Sequence, residues 1–130
     1  MRQYPKEPPA AVLAGTDVAL VGLFSANDRD YGAKLDVLAA AVEAHGGRVV
    51  SRHVQRRGVS HGGAHKMAAP FSPRTLLSPG KAREIGQACQ ASNVGAAVFV
   101  NSLTAHQRAV LSDVFGCPVI SGEKLVTPSR

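Results

Sequence analysis

The stretch Leu76–Glu84, "LLSPGKARE", places Gly80 and Lys81 at the start of a helix, straight after an apolar pair. That is where a nucleotide phosphate sits in a P-loop protein. A Walker A loop needs G-x-x-x-x-G-K-[ST], in which backbone N–H groups cradle phosphates and the Ser or Thr hydroxyl holds magnesium. Here Thr75 stands where the first glycine belongs, and Ala82 follows the lysine. The segment is therefore not a P-loop. Ser78, Gly80 and Lys81 keep a weaker role open, as a helix start holding an anion through its backbone N–H groups.

Other constellations are weaker. His61 and His65 have the i, i+4 spacing that offers two imidazoles to one metal on a helix. Gly62 and Gly63 between them argue against helix, and no carboxylate is near, so no metal site is expected. No G-x-S-x-G elbow presents a nucleophile. Asp28 and Asp30 lie in the loop after the first expected strand, where open α/β sheets bind ligands. They read as a plain acidic loop. No catalytic residue and no cofactor are expected. Cys89 and Cys117 have no C-x-x-C partner and read as buried, reduced thiols.

Charge says more. The 130 residues carry a formal net charge of +6. From Ala44 to Arg83 there is no Asp or Glu, whereas Arg48, Arg52, Arg56, Arg57, Lys66, Arg74, Lys81 and Arg83 all fall there. A segregated basic field suits a polyanion, and RNA is the usual one inside a cell. Those eight cations would meet phosphates, and Phe71 would stack on a base.

The elements that must position these residues alternate between strand and helix. "DVALVGLF" (17–24) is a short continuous apolar run, as in a strand buried on both faces. "AKLDVLAAAVEAHGG" is a helix with Leu35, Leu38, Ala39 and Val42 on one face and glycines at its end. "RVVSRHVQ" (48–55) is a second strand, with Val50, Arg52 and Val54 expected to alternate with Val49, Ser51 and His53. Residues 56–73 lack any period and read as a long flexible basic loop. "RTLL" is a short strand, "PGKAREIGQACQASN" a helix, "AAVFVN" a strand, "SLTAHQRAVLSDVFG" a helix with a Thr104–Gln107 capping box, and "CPVIS" a last strand. This order predicts an α/β fold: one domain, a three-layer sandwich on a mostly parallel sheet of four to five strands. Residues 1–15 form an irregular arm and 16–126 the domain. No apolar run is long enough to span a membrane, and the N-terminus has no signal-peptide pattern, so a cytoplasmic protein is expected.

The pieces "ALVGLF", "AKLDVLAAAVEAHGGRVV", "RHVQRR", "RTLLSPGKAREI", "AAVFVN" and "SLTAHQRAVLSDVFGCPVI" resemble, in order and spacing, the N-terminal domain of the HflX family of ribosome-associated GTPases. Gln55, Arg57, Gly80, Lys81, Glu84, Leu103, Thr104, Gln107 and Leu111 fall on the recurrent positions of that pattern. Ser78 replaces the first glycine of the family's G-x-G-K element, Pro79 precedes Gly80, and "SGEKL" stands for the usual "DRT". The family's GTPase domain lies outside these 130 residues, so the resemblance implies a stand-alone domain without GTP hydrolysis. It implies binding to the large ribosomal subunit and its rRNA. Two alternatives remain open from the residues. One is a small-molecule or nucleotide site, or an enzyme, at the C-terminal strand ends near Ser25–Asp30, Gly80, Lys81 and Asn101–Thr104. The other is a homodimer or protein-interaction module using an edge strand around Val49–Val54.

Overall fold

A computed structural model of the chain describes residues 13–25, 28–57, 77–122 and 125. The unalternating apolar run at the start becomes β1 (Asp17–Ser25), in which Val18, Ala19, Leu20 and Val21 are fully buried. Burial on both faces follows from its position. The four described strands pair in the order β2-β1-β3-β4, all parallel, so β1 lies inside the sheet. Its neighbours are β2 (Arg48–Arg57) on one side and β3 (Ala96–Phe99) on the other, and β4 (Val119–Ser121) pairs with β3.

Three helices connect them: α1 (Tyr31–Ala44), α2 (Pro79–Ala91) and α3 (Ala105–Phe115). Leu35, Leu38, Ala39 and Val42 of α1 pack on Val18, Leu20, Phe24, Ala96, Val98 and Ile120. On the opposite face, Ala82, Ile85 and Cys89 of α2 and Leu111 and Phe115 of α3 cover Ala19, Val21, Ala97, Phe99 and Val119. The handedness of parallel crossovers explains this division. The chain steps outward from β1 to β2, then back across β1 to β3 and on to β4. Reversing direction moves α2 and α3 to the other face from α1. The result is the expected three-layer α/β sandwich.

Local chemistry sets the element ends. Thr104 and Gln107 close a reciprocal capping box on α3, with Thr104 N donating to Gln107 Oε1 at 2.9 Å and Gln107 N to Thr104 Oγ1 at 3.0 Å. Gly116 ends α3 in the left-handed region at φ 74°, which glycine adopts without the steric cost of a Cβ. α2 carries Pro79 at its first turn, where a missing N–H costs nothing.

Several expectations change. β1 reaches Ser25, and β2 reaches Arg57, so Arg56 and Arg57 belong to a strand and not to the loop. β3 stops at Phe99, two residues early, because Asn101 turns its side chain back onto β1, as described below. The "RTLL" strand falls mostly outside the described residues; Leu77, its last residue, is fully buried at a bend. Leu13, grouped by composition with the N-terminal arm, is fully buried in the α1-side core.

The main correction concerns β2. Its register slips between Val18 and Ala19: Val49 pairs with Val18, but Ser51 pairs with Ala19. Val50 is thus an extra residue, and it is 42% exposed. Strict alternation would put Val49 and Val54 on opposite faces. The bulge brings both into the α1-side core. Arg52 and Arg56 share that face, whereas Ser51, His53 and Gln55 face α2.

α2 and α3 approach closely at Gly86, where a Cβ would stand 2.7 Å from the Val114 carbonyl oxygen. Alanine is the better helix former by about 1 kcal/mol, yet here it forces two backbones apart. Gly86→Ala is therefore expected to lose about 1–3 kcal/mol overall, seen as a lower urea midpoint. An unchanged or higher midpoint would contradict the close approach.

Candidate functional site

The carboxyl ends of β1 and β3 form the point where strand order reverses, the usual ligand crevice of an open parallel sheet. Asn101 fills it. Its Oδ1 accepts from Leu23 N at 2.9 Å and its Nδ2 donates to Leu23 O at 3.1 Å. The side chain thus continues the β1–β3 ladder beyond the end of β3. Nearby, Leu103 N donates to Oγ of buried Ser121 at 3.2 Å. Asp28 accepts from Asp30 N at 2.9 Å and from Lys34 Nζ at 2.8 Å. The Lys34 hydrogen bond holds the Asp28 carboxyl below its ordinary pKa. This acidic loop is engaged in its own turn.

A second set of bonds fixes the start of α2. Gln55, at the end of β2, grips Ser78 twice: Nε2 donates to Ser78 Oγ at 2.9 Å, and Oε1 accepts from Ser78 N at 3.0 Å. Ser78 Oγ in turn accepts from Lys81 N at 3.2 Å as the N-cap of α2. The serine that replaces a family glycine is therefore the capping residue. Gly80 is exposed, with no neighbour where a Cβ would lie. Lys81 Nζ pairs with Glu84 at 3.1 Å. Of the three anion-site candidates, Ser78 and Lys81 thus have protein partners at the helix start. His53 lies on the same side of β2, bonded to Ser51 Oγ at 3.0 Å. Its partial burial, and then the Lys81 charge, push its pKa below the ordinary 6.5.

The basic residues of β2 line an edge of the sheet. Arg48 pairs with Asp17 of β1 at 2.8 Å, and Arg52 with Asp36 of α1 at 2.8 Å. The Arg56 guanidinium lies 4.7 Å from the Tyr31 ring centre, and its Nη2 donates to the Asp28 carbonyl at 3.2 Å. Tyr31 is backed by Phe24, ring centres 5.6 Å apart. The fold thus brings Arg48, Arg52 and Arg56 onto one strand and Lys81 beside its other face. Arg83 is exposed on α2. Arg57 belongs to β2 by its backbone, while its side chain and Lys66, Phe71, Arg74, His61 and His65 lie outside the described residues.

Three features escaped the sequence. The Tyr31–Arg56 stack needs residues 25 positions apart to meet at one strand end. The Gln55–Ser78 grip and the Asn101–Leu23 clamp likewise join distant segments. Only the Thr104–Gln107 box had a local signature. Among the described residues no three His, Cys, Asp or Glu side chains group as metal ligands, and no helix is long and apolar enough to cross a membrane.

Strand order, layers and crossovers define a small doubly wound parallel α/β domain. The family described as GTP-binding GTPase N-terminal matches residues 32–127. The chain belongs to this family, the N-terminal domain of the HflX-type GTPases. No curated protein matches the chain significantly. The family match begins inside α1, yet β1, which precedes it, is the strand that joins β2 to β3.

Two outcomes test this geometry. Gln55→Ala leaves the half-buried Ser78 N–H without its acceptor and is expected to cost about 1–3 kcal/mol in chemical denaturation. His53 has a folded pKa below its unfolded one, so folding favours its neutral form. Its contribution to stability is complete above pH 6.5 and is lost as pH falls from there through the folded pKa. Melting curves of wild type and His53→Gln should differ in slope across that window. Parallel curves would contradict the burial of His53.

Proposed function

We propose that this chain is a non-catalytic RNA-binding module that docks on the large ribosomal subunit through the basic edge of its sheet. The observation that carries the proposal is the row Arg48, Arg52 and Arg56 on exposed positions of β2. Around it the window 44–83 lacks acidic residues. The guanidinium partners Asp17 and Asp36 come from other elements.

These existing ion pairs do not block such use. Arg48 is 76% exposed, and both side chains of the Arg52–Asp36 pair face solvent. Exposed pairs contribute only about 0–1 kcal/mol each. A phosphate offers the same guanidinium a bidentate partner and releases condensed counterions. The cost of exchange is therefore small and the gain depends on salt. Tyr31, packed against Phe24, carries the Arg56 guanidinium over its ring and so holds it at this edge. Bases of single-stranded or looped RNA stack on guanidinium planes as well as on aromatic rings. Lys81 and Arg83 on α2 widen the basic surface on the other side of β2, and Arg57, Lys66, Arg74 and Phe71 belong to the same proposed footprint. The location we propose with it is the cytoplasm.

The crevice at the strand ends supports a small-molecule or nucleotide site less well, because Asn101 spans it and Ser78 already caps α2.

The test is co-sedimentation with purified large ribosomal subunits across a salt series. Wild type should bind saturably, with affinity falling as salt rises. The triple variant Arg48→Ala, Arg52→Ala, Arg56→Ala should bind at least tenfold more weakly at low salt. Its log–log salt slope should shrink by roughly 2–3. Equal binding by a folded triple variant would overturn the assignment of β2.

A further inference from the structure

The two cysteines lie at the other pole of the molecule, between α2 and the connection from α3 to β4. α2 and α3 lie on one face of the sheet and both return the chain to parallel strands, so they run in the same direction. They approach closely at Gly86, where a Cβ would stand 2.7 Å from the Val114 carbonyl oxygen. Three residues further along each chain stand Cys89 and Cys117. A second contact brackets them: a Cβ on Gly116 would lie 3.5 Å from Nε2 of Gln90. Both thiols are free, 2% and 8% exposed, and members of one core cluster. The two thiols also perturb each other: Cys117, with burial, pushes the Cys89 thiol up, and Cys89 draws the Cys117 thiol down. Cys117 is flanked by exposed Gly116 and Pro118, which gives a small oxidant a short approach.

We propose that Cys89 and Cys117 form a reversible oxidation site, at which a hydroperoxide converts the pair to an intramolecular disulfide. The Cys117 thiolate attacks one peroxide oxygen; an S–O bond forms, the O–O bond breaks, and hydroxide leaves. Cys89 sulfur then attacks the resulting sulfenic sulfur of Cys117. The S–S bond forms, the S–O bond breaks, and the hydroxyl departs with the Cys89 proton as water. Two thiols and one hydrogen peroxide yield one disulfide and two waters. The sulfurs lose two electrons and the peroxide oxygens gain them. The bond ties α2 to the α3–β4 connection and constrains the unfolded chain, so oxidation stabilises the domain.

Native protein treated with hydrogen peroxide, alkylated under denaturing conditions and digested with trypsin gives the answer directly. Cleavage after Arg83, Arg108 and Lys124 places the cysteines on separate peptides. The expected product is one linked pair of peptides, two hydrogens lighter than their sum and separated by dithiothreitol. The melting midpoint should rise by several degrees on oxidation and return on reduction. In Cys89→Ala and in Cys117→Ala alike, peroxide should give no intramolecular link and no reversible rise in the midpoint. Wild-type thiols that both stay alkylatable, that oxidise separately to sulfinic acids, or that link between copies would overturn the proposal.

Discussion

One extra residue in β2 decides how this domain presents its surface. Val50 is the bulge that lets β2 slip against β1 between Val18 and Ala19. The gain is apolar. Val49 and Val54, five positions apart, both pack partly buried against the α1-side core, each contributing less than the ~1.5–3 kcal/mol of a fully buried valine. The polar consequences follow from the same shift. Arg52 and Arg56 are carried to the α1 side, where Asp36 and Tyr31 meet them. His53 and Gln55 are carried to the α2 side, where Gln55 holds the N-cap of α2. Two unrelated features, a basic row and an anchored helix, thus depend on one core constraint.

The poles of the molecule have different chemistry. At the carboxyl ends of the strands the polar groups knit the fold together: Asn101 bridges β3 to β1, Ser121 receives Leu103 N, and Ser78 joins β2 to α2. The flank at β2 instead presents exposed Arg48, Arg52 and Arg56. At the amino end of β4, two buried thiols sit between α2 and the connection from α3 to β4. A chain with no Trp builds its core from aliphatic residues, Phe24 and the Phe99–Phe115 stack, ring centres 6.1 Å apart. Small contacts such as Gly86 against Val114 then set the helix spacing.

Much of the architecture was legible in the sequence. The unalternating run at 17–24 implied a strand buried on both faces, the 35–38–39–42 spacing implied the covered side of α1, and Thr104 with Gln107 announced a capping box. These are local patterns, in which period and residue type alone carry the information. The phase of β2 was not legible. Strict alternation is the only rule a lone strand offers, and the bulge exists to satisfy Val49 and Val54 against a helix that precedes them in the chain. The candidate site was half legible for the same reason. The basic window shows in composition, but the Tyr31–Arg56 contact and the Asn101 clamp join segments 25 and 78 residues apart. The departure of Ser78 from the family glycine, puzzling as a motif, has a simple explanation as a cap.

The claim on which the functional account rests is that RNA meets this protein along β2. Amide chemical-shift mapping of the labelled protein, titrated with a short loop of ribosomal RNA at low and then moderate salt, tests it directly. The account predicts salt-reversible shifts concentrated at Arg48–Arg56 and Tyr31, with Leu23, Asn101 and the Thr104 cap unmoved. Shifts confined to the strand ends around Asn101–Thr104, with β2 silent, would contradict it.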